Sequence, residues 1–570
     1  MGQIGEKMKL KKWLVPSIVT LVFLPLYFYV AIPAIHWRSG GFWWMLVLTA
    51  LVFFGTHFYI AYPGSVGEKL MALFSALDSS QKKKNARKKA DYEDKTGELS
   101  LSDKTKKILV GIAIGVGVIL LAVFFTSSVL FRAGDYQEML VVEENADFAA
   151  DIAELPISQI PVVDRDTAER LGSRKIGEVV ELVSQFNVSS YYSQINYKNK
   201  PYRVSPLEYA GVLKWLSNRK GGIPYYVTID MASQETKLVE LDEGMKYSPS
   251  EFFGRDLYRH IRFAYPTKMF DDVSFEINDD GHPYWVMSYY DYTFGILGGK
   301  DIVGVILVDA VTGEMTDYSV ADVPKWIDQV YNADLLVEQA DNWGSLKRGF
   351  LNSIFVQKEV VVTTDGYNYI ANDDDVWLYT GITSVVSDES NIGFILINMR
   401  TKEAKTYMIN GAEEYSAMAS AEGQVQEKGY TATFPILINV EDKPSYFLSL
   451  KDNAGLVKCY AFVSVSDYQI VGVADTIEDA KTAYLRMLGV DKPTPSPDDV
   501  VSATGTVEAI ATAVRDGNTY YYLKINGAVY IASIKISDLL PFIKVGDTLD
   551  FTANGTDGTV YQLNYTTQGE

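Results

Sequence analysis

Cysteine and histidine are the scarcest of the chemistry-bearing residues: one Cys and four His in 570 residues. A single thiol excludes an internal disulfide, a cysteine-rich zinc domain and an iron–sulfur site. Cys459 lies in Leu456-Val457-Lys458-Cys459-Tyr460-Ala461-Phe462-Val463, an apolar strand pattern that predicts a buried, inert thiol rather than a nucleophile. His36 and His57 fall in membrane-type sequence. His260 falls in a predicted helix with Arg255, Arg259 and Arg262, and His282 in a predicted turn after Asp279-Asp280-Gly281. None has a companion at metal-ligand spacing. Asn372-Asp373-Asp374-Asp375 is the best cation candidate, but it lacks the EF-hand pattern and reads as a solvated turn. Ser80-Gln81-Lys82-Lys83 and Lys95-Thr96-Gly97 match two penicillin-binding motifs, yet they share one short charged loop with no room for that fold. No H-E-x-x-H, G-x-S-x-G, Walker A or dinucleotide fingerprint occurs in a suitable context. The sequence therefore nominates no catalytic, cofactor-binding or metal residue, and no cofactor. Asp and Glu number 72, so a glycosidase-type pair could be assembled from distant positions, but spacing alone does not select it.

The elements that would hold such a site begin with three uncharged apolar runs, Trp13 to Ile35, Phe42 to Tyr62 and Ile108 to Phe131. Each is longer than the ~20 residues a helix needs to cross the hydrocarbon core. Pro16 and Pro25 predict kinks in the first, and Trp37, Trp43, Trp44, Tyr59 and Tyr62 flank the runs where amphipathic rings favour the interface. Lys7, Lys9, Lys11 and Lys12 precede the first run, and the 63–107 segment holds eleven basic residues, six of them in 82–89. The link between the first two runs has only Arg38. This bias predicts a cytoplasmic N-terminus, a cytoplasmic 63–107 loop and an extracytoplasmic region from 132 to 570. The basic cluster sets topology, with anionic lipid as a possible partner. Gly111, Gly115 and Gly117 in the third run suit close helix packing and self-association.

Charge divides the chain in the same place. Residues 1–131 carry 16 Lys+Arg and 8 Asp+Glu, and residues 132–570 carry 36 and 64, so the total of -20 is +8 and -28 combined. An acidic region of that size argues against nucleic acid as a partner.

Residues 132–570 read as α+β with antiparallel strands. Helices are predicted at Asp164 to Gln185, at Ser205 to Asn218 with Pro206 in the first turn, and at Thr476 to Leu488 with Thr476 as N-cap. Three times an apolar strand ends in Asp/Asn-x-x-Ser/Thr-x-Glu: Asp230 with Ser233 and Glu235, Asp309 with Thr312 and Glu314, Asn398 with Thr401 and Glu403. A short polar side chain at that place accepts backbone N–H groups and closes a hairpin turn. Proline precedes an aromatic strand at Pro224, Pro283 and Pro444, where its missing N–H is tolerated. Asp491-Lys492-Pro493-Thr494-Pro495-Ser496-Pro497 reads as an extended linker. After it come short strands with turn signals at Asp516-Gly517-Asn518, Asn526-Gly527 and Asn554-Gly555.

The strand from Tyr284 with Val305-Ile306-Leu307-Val308-Asp309-Ala310-Val311-Thr312-Gly313-Glu314 resembles the hairpin of PepSY-type domains. These are small extracytoplasmic α/β modules, some of which restrain proteases or occur in membrane-anchored proteins. The copies at Asp230 and Asn398 lack the Gly. Gly505-Thr506-Val507 with Val545-Gly546-Asp547-Thr548-Leu549 resembles a small OB-like barrel, and its 4 basic and 7 acidic residues over 501–570 favour an adaptor over a nucleic-acid groove. The whole chain also resembles large membrane-anchored proteins of Gram-positive bacteria.

The organisation expected is therefore a membrane anchor at 1–131, PepSY-like α+β modules at 132–330, an α+β module at 331–490, a Pro-rich linker at 491–500 and an OB-like barrel at 501–570. The function expected is a multi-pass, membrane-anchored scaffold or interaction protein of the bacterial cell envelope. It would contact membrane lipid and envelope proteins, or other copies of itself through the spans. The alternatives are a carboxylate-based envelope hydrolase and an accessory subunit of a membrane complex.

Overall fold

The computed structural model describes residues 2–61, 103–372, 374–384, 387–489, 500–515, 518–537, 539–555 and 558–564. The basic 82–89 cluster, both penicillin-binding-type motifs, Asp373 and residues 490–499 lie outside the described residues.

Among the described residues three helices are long and apolar enough to cross a membrane: α1 (Gly2–Ala31), α2 (Gly40–Ala61) and α3 (Asp103–Ser127). α1 runs through Pro16 and Pro25 without ending. Their apolar side chains, such as Leu21, Leu51 and Leu120, stand exposed, as a lipid-facing surface requires. Ser128 adopts an extended conformation and starts a further turn of helix, α4 (Val129–Gln137). β1 (Val142–Glu143) then pairs in parallel with Ala404 and Lys405, and α5 (Phe148–Asp151) follows, capped by Asp147.

The part that follows repeats one plan four times: an entry segment, a helix and an antiparallel meander. Unit one comprises α6 (Arg165–Gly177), α7 (Val180–Val183), β2 (Phe186–Val188), β3 (Ser193–Asn196), β4 (Pro201–Tyr209), α8 (Val212–Asn218), β5 (Ile223–Asp230) and β6 (Thr236–Met245). Unit two comprises α9 (Leu257–Ala264), β7 (Met269–Ile277), β8 (Pro283–Phe294), β9 (Gly298–Asp309) and β10 (Met315–Ser319). Unit three comprises α10 (Ala333–Ser345), β11 (Val361–Thr363), β12 (Asn368–Asn372), β13 (Asp375–Ser384), β14 (Ser387–Asn398) and β15 (Ala404–Tyr407). Unit four enters through β16 (Gly411–Ala412) and comprises α11 (Glu414–Gln424), β17 (Thr431–Ala432), β18 (Ile436–Val440), β19 (Lys443–Lys451), β20 (Val457–Ser464), β21 (Val471–Ala474) and α12 (Ile477–Met487).

The turn chemistry of the three-copy motif is what closes each hairpin. Asp230 Oδ1 accepts the N–H groups of Ala232 and Ser233, Asp309 Oδ1 those of Val311 and Thr312, and Asn398 Oδ1 those of Arg400 and Thr401, all at 2.8–2.9 Å. The fifth residue has positive φ in every copy: Gln234 at 63°, Gly313 at 79° and Lys402 at 63°. The residue after the Asp/Asn performs a second task. The N–H groups of Met231, Ala310 and Met399 bond the carbonyls of Pro201, Pro283 and Val376, at the start of β4, β8 and β13. Their carbonyls accept from Val162, from Lys246 and Tyr247, and from Val330 and Tyr331, on the segments entering the same units. Unit four has the same latch: Val465 N–H bonds Pro444 O, and Val465 O accepts from Ala412. Its turn is one residue longer and carries Ser464 in place of Asp, so the motif is absent there although the geometry persists. The prolines that start equivalent strands are Pro201, Pro283 and Pro444; Pro224 lies within β5.

Two helix expectations change. Asp164 caps α6 by accepting from Thr167 N–H, but the helix ends at Gly177 and resumes only briefly. Ser205 and Pro206 lie in β4, opposite Val227 and Tyr226 of β5, and helix begins only at Val212. The segment from Val204 to Leu207 is buried, so sheet pairing overrides the capping signal. Thr476 caps α12 as expected, accepting from Asp479 N–H at 3.1 Å.

Side chains alternate between two cores. Trp285 and Met287 of β8 join a large cluster shared by all four units, while Val286 joins a second cluster with Leu140, Ile327 and Leu378. Each large apolar side chain so buried contributes about 1.5–3 kcal/mol. The C-terminal segment has its own core around Leu523, Leu549 and Phe551. There β22 (Val500–Arg515), β23 (Asn518–Ile525), β24 (Ala528–Ser533), β25 (Thr548–Asn554) and β26 (Val560–Asn564) form one antiparallel sheet in the order β24-β23-β22-β25-β26. One parallel bridge, Ile531 to Thr559, links its two ends.

Unit two docks on the membrane helices. Arg259 and Arg262 of α9 donate to the carbonyls of Tyr29 and Ile32, and Ile35 N–H donates to Pro266 O at 2.7 Å. Arg38 pairs with Asp291 at 2.8 Å, and Ser127 Oγ accepts from Ile296 and Leu297.

Candidate functional site

Strands β3, β7 and β12 of units one to three pack together, and β12 meets the segment that leads into β18 of unit four. Ser193 Oγ of β3 accepts from Phe275 N–H of β7, and Asn368 Nδ2 of β12 donates to the carbonyls of Phe434 and Pro435, just before β18. A cleft of about 1120 Å³ opens where they meet. Its wall takes Asp164, Arg165, Asp166 and Glu169 from the start of α6, Gln194 from β3 and Arg203 from β4. It takes Asp271 and Asp272 from β7, Lys300 from β9, Asp334 and Glu338 from α10, and Tyr367, Tyr369 and Phe434 from units three and four.

The carboxylates of this wall are not equivalent. Burial opposes ionisation of Asp164, but the Lys451 ammonium, 2.6 Å from both oxygens, and the Thr167 N–H outweigh it and hold the carboxyl below its usual range. Asp271 pairs with Lys300 and accepts from Asn332 Nδ2. Its neighbour Asp272 is pushed up, first by burial and then by the charges of Asp271 and Asp334, against the Val273 N–H bond and the Lys300 charge, which lower it. Of two adjacent carboxyls, one is thus ion-paired and the other is displaced upward.

Arg203 is 6% exposed. Its Nη2 donates to Gln194 Oε1 at 3.2 Å, and its Nε has no partner. Burial pushes its guanidinium pKa down to about 10.

Beneath the cleft lies a chain of buried carboxyls. Ser274, on the cleft wall, donates to Glu276 Oε1 at 2.7 Å, Glu276 Oε2 accepts from Asp328 N–H, and Asp328 Oδ2 accepts from Asn196 N–H at 2.7 Å. Asn196 lines a second pocket of about 270 Å³ with Leu155, Ile370, Asp374 and Ile438. Burial raises both carboxyls, and Asp328 is raised further by the charge of Glu276.

The residues singled out from sequence lie apart from this cleft. Cys459 is 1% exposed, and its Sγ donates to Asp475 Oδ1 at 3.1 Å. Burial and that bond raise the thiol pKa, the opposite of what a nucleophile needs. His260 meets Gly313 O at 2.9 Å, His282 meets Asp309 Oδ2 at 2.9 Å, His36 accepts from Arg38 N–H, and His57 packs 4.5 Å from Trp13. Asp375 is committed to Arg400 in a bidentate pair at 2.6 and 2.7 Å and accepts from Asn398. Among the described residues no group of three His, Cys, Asp or Glu is placed to hold a metal ion. A Cβ added at Gly111, Gly115 or Gly117 would meet nothing within 4 Å, so no packing partner for that face lies among the described residues. The cleft residues Arg203, Asp272, Asp334 and Glu338 belong to no motif. Only the fold brings them together.

No family model matches the sequence, and no curated protein matches it. Among solved structures the likenesses are remote. An ACO/RPE65 chimera is 8% identical over 67% of this chain, with a TM-score of 0.13, and the match spans 62% of that chain, under two thirds of its length. A levansucrase mutant of B. megaterium is 9% identical over 72% of this chain and 91% of that one, at 0.17. The Bacillus megaterium YpeB C-terminal domain is 11% identical over 42% of this chain and 99% of that one, at 0.10. Such TM-scores carry no argument about fold or chemistry.

Proposed function

We propose that the chain is a membrane-anchored, extracytoplasmic interaction protein of the cell envelope that captures a ligand in the cleft between its four units. The observation that carries this is the convergence of strands from units one to three, with Phe434 of unit four, on one open, polar cleft. Carboxylates beside tyrosines suit ligands with hydroxyl or amine groups. The topology proposed puts the N-terminus and the 63–107 loop in the cytoplasm. It is supported by their lysines and arginines and by the docking of unit two on residues 29–38 and on Ser127, at the opposite ends of α1 and α3 from the basic segments. The PepSY-like reading draws support from the Asp309 turn. The OB-like reading draws support from a five-stranded sheet whose ends are bridged.

The test is cross-linking in native membranes, followed by mass spectrometry of partners and measurement of native size. A discrete partner set that the double variant Asp272→Asn, Asp334→Asn loses is expected. Recovery of a lone monomer would overturn the proposal. One observation favours a second reading, an envelope hydrolase: the upward-shifted Asp272 carboxyl beside the ion-paired Asp271. Hydrolysis of cell-wall polymer by the wild type but not by Asp272→Asn would decide for it.

A further inference from the structure

Arg203 is the group in the cleft whose presence the fold does not explain. Among the described residues no carboxylate forms an ion pair with it, and its one side-chain partner is the neutral Gln194. The nearby carboxylates are engaged elsewhere, Asp164 with Lys451 and Glu169 with Arg165. Burying an unpaired charge costs several kcal/mol in folding, and a methionine would fill the same space without that cost. A guanidinium kept there at such expense, with Nε unused and five donors in a planar fork, has the geometry that receives a carboxylate. Elsewhere on the same wall Asp272, Asp334 and Glu338, from units two and three, line the cleft outside any ion pair of the described residues, with the Lys300 charge acting on Asp272 from beside it. A cleft in which, among the described residues, a guanidinium and several carboxyls stand outside any ion pair suits a zwitterion. Its volume exceeds that of a single amino acid.

We propose that the cleft binds a short zwitterionic peptide, its terminal carboxylate on Arg203 and its amine toward Asp272, Asp334 and Glu338. The proposal rests on the reading of the cleft as a ligand site. Its test is titration calorimetry of the full chain in detergent with three probes: trialanine, trialanine amide and the neutral sugar cellotriose. Trialanine is expected to bind, and amidation to weaken it by about tenfold or more, the loss typical of a missing charge-assisted pair. Arg203→Met should abolish the difference between acid and amide and raise the thermal midpoint of the unliganded protein. Should Arg203→Met fail to fold, Arg203→Gln serves the same comparison. Equal binding of acid and amide, or wild-type affinity in the variant, overturns the assignment of Arg203. Binding of cellotriose alone overturns the peptide and keeps the cleft as a ligand site, whereas no binding of any probe removes both.

A second inference stands on a different surface. Arg259, whose Nε holds Tyr29 O in α1, also donates through Nη1 to Phe253 O at 2.7 Å. Phe253 is therefore fixed beside the end of a membrane-type helix, and it is 65% exposed with φ at +57°. A bulky residue in that conformation is strained. The Phe253 ring lies 6.0 Å from Trp215 of α8, the helix that carries Leu213 at 77%, and the helix of Arg259 carries Phe263 at 53%, packed on Phe28, with Arg255 bonded to Arg219 O. We infer that this apolar face, rimmed by cations and continuous with α1, rests in the lipid headgroup region. Single cysteines at Phe253 or Leu213, in a Cys459→Ser chain reconstituted into phosphatidylcholine–phosphatidylglycerol vesicles, should give fluorophores quenched by spin-labelled lipid. A fluorophore at the exposed Val529 of β24 should not be quenched. Quenching at 253 no greater than at 529 overturns the inference.

Discussion

The backbone N–H of Asp328 donates to Glu276 Oε2 at 2.8 Å, which sets two buried carboxyls side by side beneath the cleft. Glu276 also takes bonds from Ser274 and from Gln329 N–H, whereas Asp328 Oδ1 takes none. Asp328 is therefore the member whose carboxyl is raised further, by burial and by the charge of Glu276. Asp374 and Asp375 add negative charge around it, although Arg400 neutralises Asp375.

This pair makes stability depend on pH in a defined direction. Both carboxyls titrate higher in the folded chain than in the unfolded one, so between those values the folded state binds more protons. Stability must then fall as pH rises through and above the ordinary carboxylate range. Asp328→Asn should flatten that fall and stabilise the protein at neutral pH by about 1–3 kcal/mol, measured by denaturant unfolding at several pH values. An unchanged pH profile would remove the assignment.

The three matching turns predict opposite effects of glycine. Gln234→Gly relieves a left-handed conformation at the loss of one bond to Tyr460 Oη and should stabilise by no more than about 1 kcal/mol, whereas Lys402→Gly also removes the 2.6 Å ion pair with Asp301 and should destabilise. Gly313→Ala should destabilise by about 1–3 kcal/mol, because its Cβ would enter the ring of Tyr247 as well as a strained φ. Chemical denaturation of the three variants ranks them.

Arg262 predicts how firmly the anchor is held. Its buried guanidinium donates to the carbonyls of Ile32, Tyr265 and Lys268. Arg262→Met strands these acceptors and should cost about 1–3 kcal/mol. Amide exchange at residues 32–39 should accelerate more than exchange in β8.

Cys459 predicts a silent thiol. Maleimide should label it only after unfolding, and Cys459→Ala should leave the partners recovered by cross-linking unchanged. Rapid labelling of the folded protein would contradict its burial.

What was legible in the sequence follows the range of the forces involved. The spans were legible because lipid solvation needs only a contiguous apolar run, and Trp13–Ala31 has one. The hairpin turns were legible because Asp230, Asp309 and Asn398 act on residues two and three places away. The fourth copy was not, since Ser464 and one added residue preserve the latch without the motif. The helix expected from Ser205 failed because a local cap competed with burial between sheets. The cleft was illegible for the same reason at longer range. Asp164, Arg203, Asp272 and Asp334 come from three units, and only their topology makes them neighbours.

The latch within each unit bears on how the chain is made. Every closure joins residues of one contiguous stretch, Val162 to Met231, Lys246 to Ala310, Val330 to Met399 and Ala412 to Val465. A chain emerging N-terminus first can therefore seal its units in order of synthesis, each before the next is made. The cleft obeys a different schedule. Phe434 belongs to unit four and Asp164 to unit one, so its wall is complete only when the last unit arrives. A nascent chain halted after Tyr407 would hold three sealed units and an unfinished cleft.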